Sequence, residues 1–180
     1  ELENFNFKID LSRIIKDLED RYDLKENNEN EIIFIDKSLE NVFNIELILK
    51  VFPGAKFIHS KRKLNDAVLS IYFSMLPELS WTLSLDTIKD YINKYQKIIN
   101  YYKNKFPDKI FDVDLDEFTF KSDLISKEIF QFCELTWTKE SLDFYQRKDL
   151  FSKTLSSSQI RKRISKQNQS NYNKYYFLLD

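Results

Sequence analysis

Lys56 to Met75, KFIHSKRKLNDAVLSIYFSM, is the stretch whose residue types and spacing are best suited to chemistry, and the chemistry is anion binding. Lys61, Arg62 and Lys63 crowd a turn between a short apolar run, Lys56 to His59, and a helical stripe of Ala67, Val68, Ile71 and Tyr72. Asn65 and Asp66 are both good N-cap types for that helix. A helix N-terminus offers unpaired N–H groups and the positive end of the helix dipole, so a phosphate suits it. Arg62 can grip two phosphate oxygens with its planar fork, and Ser70, further along, is a neutral donor. The plain alternative for a lone Lys-Arg-Lys is a solvated basic turn.

Composition narrows the partners. The chain has 180 residues, 42% hydrophobic and 32% charged, with net charge −1. That is enough for one domain with its own core, and it provides no global field for nucleic acid or an anionic membrane. Any anion site is therefore local, and neither membrane nor nucleic acid is an expected partner. Cys133 is the single cysteine, which excludes an internal disulfide and suits a reducing, cytoplasmic setting. No secretory leader and no apolar run of bilayer length is evident. Gly54 is the one glycine, against a usual share of about 7%. A glycine-rich phosphate loop is thus absent from these residues.

Elements that position the turn follow from periodicity. Asp10 caps a helix with Leu11, Ile14, Ile15 and Leu18, ending near Tyr22; residues 25–31 read as a loop. Ile32 to Ile35 has the composition of a buried parallel strand, and Ser38 starts a helix through Val42, Phe43, Leu47 and Ile48 that stops before Pro53-Gly54. The strand at 56–60 and its helix follow. Ser84 opens a long aromatic helix to about Phe106, Lys109 to Leu115 is a third strand, and helices are expected near 122–134 and 138–148, with Trp137 packed between them. Alternating strands and helices predict an α/β fold, a parallel sheet flanked by helices, in one domain over 1–180. From Arg147 onward the chain turns basic, polar and aromatic. His59 reads as a hydrogen-bonded core residue. Asp112, Asp114, Asp116 and Glu117 read as a solvated strand end, so no metal is expected.

Ordered motifs add a resemblance. Asp36-Lys37, Asn41, Phe52-Pro53, Ala55-Lys56, Ile58-His59, Lys61-Arg62, Asp66 and Ser70 are followed by DVDLDEF, FCELTW, LDFY and Ser156 to Arg161 (SSSQIR), then by Lys166 to Tyr175. Together these resemble the sulfotransferase family, in particular its tetratricopeptide-associated, tyrosylprotein sulfotransferase-like branch. The resemblance implies a sulfotransferase fold of the P-loop-NTPase type and transfer of a sulfuryl group from 3′-phosphoadenosine 5′-phosphosulfate (PAPS) to a hydroxyl acceptor on protein, peptide or carbohydrate. It further implies that Arg62 and Ser70 hold the 3′-phosphate, that Lys37 neutralises the bridging oxygen and sulfuryl group, and that Ser156 assists the transition state. Arg161 and Lys166, in a tail spanning 151–180, would cover the nucleotide. A Glu serving as base in that branch makes Glu1 the candidate, with Glu3 behind it.

The departures are specific. Nothing in residues 1–35 resembles the family's Pro-x-Ser-Gly-Thr-Thr loop for the 5′-phosphosulfate, so the chain is expected to be the C-terminal portion of a longer enzyme. Lys63 and Leu64 replace the family's Asp-Pro, and Ser170 and Tyr172 its Gly and Trp. The alternative is a non-catalytic module that binds nucleotide or polyanion through its basic, tyrosine-bearing tail.

Overall fold

The structure is a computed structural model, and it describes residues 10–22, 33–147, 161–164 and 172–179. The chain divides into two compact units, Glu1–Ala55 and Lys56–Asp180.

In the first unit, helix α1 spans Leu11–Tyr22, and Asp10 caps it as its sequence predicts, its carboxylate accepting the Arg13 N–H at 3.2 Å. A 3₁₀ turn, Leu39–Asn44, leads into α2, Ile45–Val51, whose N–H ladder ends at Phe52 just before Pro53. Residues 33–35 correct the strand expected at Ile32 to Ile35. Ile33, Phe34 and Ile35 are 58%, 54% and 82% exposed and adopt no strand; Ile32 lies outside the described residues. Their composition suits a strand, but a strand exists only through a hydrogen-bonded neighbour, and the sheet holds two other segments.

Those segments build the second unit. Strand β1, Phe57–Lys61, pairs in parallel with β2, Ile110–Asp114, in the register His59↔Asp112 and Lys61↔Asp114. Parallel neighbours need a long crossover, and α3 (Leu64–Ser74) and α4 (Leu85–Lys105) supply it. The core lies where these helices meet the sheet: Val68, Leu69, Ile88, Ile99, Ile110 and Val113 are buried. Full burial of Leu69 or Ile88 contributes roughly 2 to 3 kcal/mol each. Buried Thr82 stays satisfied by donating to the carbonyls of Leu76 and Leu79.

After β2 come α5, Leu115–Phe120, and α6, Ser122–Phe132. Trp137 packs beside α6, its indole N–H donating to Ser126 Oγ at 2.9 Å. The helix expected at 138–148 is instead two 3₁₀ turns, Lys139–Leu142 and Phe144–Gln146. Asp143 stands between them with its carboxylate accepting the Tyr145 hydroxyl, the kind of local side-chain bonding that competes with helix. With glycine nearly absent, left-handed positions fall to other types. Met75 (φ 44°) ends α3, and Glu134 (φ 59°) follows α6, where Lys56 Nζ bonds both the Phe132 carbonyl and the Glu134 carboxylate.

Candidate functional site

Two strand-to-helix junctions lie side by side at the C-terminal ends of β1 and β2, and they are chemically opposite. At the end of β2, Asp114 is the N-cap of α5, its carboxylate accepting the N–H groups of Asp116 at 2.9 Å and Glu117 at 3.0 Å. That helix start is closed by its own anion. At the end of β1, the N-cap of α3 is Lys63, which makes no side-chain cap bond. Asn65 and Asp66 are therefore not the caps their types suggested. The helix begins one residue before them, because Lys63 keeps an extended ψ of 132° and Leu64 is already helical. The first N–H groups of α3 have no acceptor within the helix, and half-buried Arg62 sits just ahead of them. Ser70 lies six residues into the helix from Leu64, roughly 9 Å along its axis.

Lys61 leaves the turn. Its ammonium lies 3.2 Å from Asp112 Oδ2, while Lys103 Nζ at 2.5 Å and His59 Nδ1 at 2.8 Å meet Oδ1 of the same carboxylate. Partial burial pushes the Asp112 carboxyl up, but hydrogen bonds from Lys103, His59 and Lys61 outweigh it and bring it down to about 2. Burial in turn lowers His59, against the pull of its bond to Asp112. His59 also tilts against the Tyr95 ring, 5.7 Å between centroids. This is a structural hub, as expected for His59, and Asp112 is no solvated strand end. Lys61 is thus committed to the Asp112 carboxylate, and Arg62 and Lys63 follow it in the turn.

In the first unit, Lys37 is exposed in a turn organised by Asp36. The Asp36 carboxylate accepts the Asn41 amide at 2.9 Å, the Ser38 hydroxyl at 2.8 Å and the Ser38 N–H at 3.1 Å, and these bonds, led by Asn41, lower its pKa. Asp36 is thereby occupied as a turn former, and the Lys37 ammonium stays at the surface. Arg161 is exposed and donates from Nη1 to the Arg147 carbonyl. Glu1, Glu3, Ser156 and Lys166 lie outside the described residues. Arg62 thus stands at the β1-to-α3 junction and Ser70 in the second turn of the helix that follows it.

Sequence reasoning missed two partners of this region, Lys103 in the hub and Tyr176 in the tail. The Tyr176 hydroxyl donates to the Asp66 carboxylate at 2.8 Å, and that bond raises the phenol's pKa. Asp66 is 8% exposed, in the first turn of α3. Alternation and helical spacing reveal neither contact, since both depend on segments far apart in sequence.

Residues 11–139 match the model of the sulfotransferase family. The chain belongs to the sulfotransferase family. Lys37, Arg62 and Ser70 fall inside the matched stretch, whereas Glu1, Ser156, Arg161 and Lys166 fall outside it. The parallel pair flanked by helices is the α/β architecture of that family's P-loop-like fold. An uncharacterized protein of Aquifex aeolicus (strain VF5) is 30% identical over 145 residues, covering 78% of this sulfotransferase-family chain. The chain spans about a fifth of that relative's length, 19%. Sulfotransferases generally use PAPS. Among the described residues, no group of three or more His, Cys, Asp or Glu is placed to hold a metal, and no helix is long and apolar enough to cross a membrane.

Proposed function

We propose that this chain carries the 3′-phosphate half of a PAPS site in an enzyme that transfers a sulfuryl group to a hydroxyl acceptor. The observation that carries the reading is the uncapped, basic start of α3 beside the acid-capped start of α5, within a stretch matching the sulfotransferase family. Arg62 supplies a bidentate cation and the α3 N–H groups supply oriented donors to one phosphate; Ser70 adds a hydroxyl from the second turn. The fit is one of donor chemistry: the start of α3 follows Arg62 and Lys63 and has no cap bond from its N-cap side chain, whereas the start of α5 is capped by the Asp114 carboxylate.

The reaction this reading implies balances simply. The acceptor oxygen bonds to sulfur, the bond from sulfur to the bridging phosphate oxygen breaks, and 3′,5′-adenosine bisphosphate leaves. Charge accumulates on the bridging oxygen, where a cation contributes most, and Lys37 is the proposed cation. The acceptor's proton passes to a carboxylate, for which Glu1 is the proposed base. Ser156 is proposed to donate to the transferring group, and Arg161 and Lys166 to cover the nucleotide from the 151–180 tail of a single sulfotransferase domain.

The 5′-phosphosulfate grip is assigned to a longer protein, in keeping with the small share of the relative that the chain spans. The tyrosylprotein sulfotransferase-like branch and a cytoplasmic setting belong to the same proposal. The acceptor is a hydroxyl on protein, peptide or carbohydrate.

Calorimetry with 3′,5′-adenosine bisphosphate tests this reading. Binding that weakens at least 30-fold on Arg62→Ala is the expected result, about 2 kcal/mol or more for truncating one partner of a charged pair. No binding at millimolar ligand, with salt-sensitive binding of RNA instead, would replace it with the polyanion-binding module.

A further inference from the structure

Arg62 belongs to neither of the elements it joins. Strand β1 ends at Lys61, and α3 begins at Leu64 with Lys63 as its N-cap. The far side of the turn is fixed by the helix, where the Ala67 N–H donates to the Lys63 carbonyl at 2.9 Å. The near side is fixed at Lys61, by two ties to β2. In the strand register Lys61 pairs with Asp114, and its ammonium lies 3.2 Å from Asp112 Oδ2.

Asp112 is braced in turn from α4. Lys103 Nζ closes on Oδ1 at 2.5 Å, with its side chain only 25% exposed, and that one ammonium already balances the carboxylate. His59 adds a bond from β1, two residues before Lys61 and therefore on the same face of the strand. Lys61 is thus a second cation on a charge that is already paired. Its side chain is 45% exposed, so water would serve the ammonium about as well, and holding a long side chain in one place costs conformational entropy. What the contact achieves is positional: it secures the last strand residue, next to Arg62. An arginine binds phosphate more tightly when its fork is placed before the ligand arrives.

We propose that Asp112 is a positioning residue for the anion site: braced by Lys103 of α4, it holds Lys61 and so fixes the point from which Arg62 reaches a phosphate. This rests on the nucleotide reading only for the identity of the ligand. Charge and support predict opposite signs. As a mere negative charge near a phosphate, Asp112 opposes binding, and neutralising it should tighten the complex. As a support, its loss should loosen Arg62 and weaken the complex.

Two measurements on the 180-residue chain separate positioning from ligand identity. The first uses no nucleotide. Arg62 Nε is buried, so its N–H resonance in the isotopically labelled chain, assigned by its disappearance in Arg62→Lys, reports whether the side chain stays in place. That resonance should shift toward the position of solvated arginines in Asp112→Asn and in Lys61→Met, the second of which leaves Lys103 on Asp112. Far-UV circular dichroism and the fluorescence of Trp81 and Trp137 establish that each variant is folded. An unchanged Arg62 resonance in the folded variants overturns the proposal.

The second measurement is calorimetry with 3′,5′-adenosine bisphosphate. Asp112→Asn and Lys61→Met should each bind about tenfold more weakly than the parent, whereas Lys61→Arg, which keeps a cation within reach of the carboxylate, should bind nearly as well. Equal or tighter binding by folded Asp112→Asn overturns the proposal and leaves the nucleotide reading intact. If Asp112→Asn does not fold, Lys61→Met decides: weaker binding with a displaced Arg62 resonance supports positioning, and weaker binding with an undisturbed one assigns the loss to charge and overturns it. Failure of the parent itself to bind defeats the nucleotide reading, and the Arg62 resonance then decides the positioning role alone.

Discussion

The adjacent junctions β1 to α3 and β2 to α5 end in register, Lys61 opposite Asp114, yet one helix starts on a lysine and the other on an aspartate. Geometry alone would make both anion sites, because each helix start presents unpaired N–H groups. Side-chain chemistry distinguishes them. Asp114 satisfies two of the α5 donors and fills the place an external anion would take, whereas Lys63 makes no cap bond to α3 and adds positive charge.

The largest effect expected from this contrast is on binding. Arg62→Ala should weaken 3′,5′-adenosine bisphosphate at least 30-fold by calorimetry, about 2 kcal/mol or more, whereas a change in the α5 cap should leave affinity unaltered. Next is the hub beneath both junctions. Asp112→Ala leaves Lys103, Lys61 and His59 without their shared carboxylate and should cost about 2 kcal/mol in urea unfolding, the charges being only partly buried.

Acid tests the same hub more gently. The folded His59 pKa lies below its ordinary 6.5, so the unfolded chain binds that proton first and stability begins to fall as pH drops below about 6.5. Asp112 sits at about 2 against an ordinary 3.8. Its contribution is whole above about pH 4 and is lost as pH falls toward 2, about 1 to 2 kcal/mol after allowance for solvent screening. Thermal unfolding between pH 7 and 2 should therefore show two successive losses, and Asp112→Ala should diminish the second, leaving the part due to other lowered carboxylates such as Asp36.

Asp114→Ala should cost about 1 kcal/mol of stability through the lost cap, read by denaturant midpoint. Lys63→Asp is the mirror experiment. It should stabilise by about 0.5 to 1 kcal/mol by capping α3 while weakening nucleotide about tenfold, since it turns the open junction into a copy of the closed one.

Much of the frame was readable from local pattern. Asp10 ahead of an i, i+4 stripe marks α1, Ser84 ahead of the tyrosine-rich period marks α4, and the short runs read at 56–60 and 109–115 mark the strands to within one residue at each end. Locating Arg62 between strand and helix required nothing more. The other features depend on contacts that no window contains. The Asp112 hub needs the register His59↔Asp112 and a lysine from α4, and the Tyr176–Asp66 bond joins residues 110 positions apart. Local pattern also misled at Ile33 to Ile35, where apolar composition alone made no strand, and at Asp143, where 3₁₀ turns replace the expected helix.

Amide chemical shifts measured while titrating 3′,5′-adenosine bisphosphate into the isotopically labelled chain test the central contrast most directly. The resonances of Leu64, Asn65 and Asp66 should move with saturation while those of Asp116 and Glu117 stay in place. Movement at Asp116 and Glu117, or none at the start of α3, would contradict the assignment of the uncapped junction as the phosphate site.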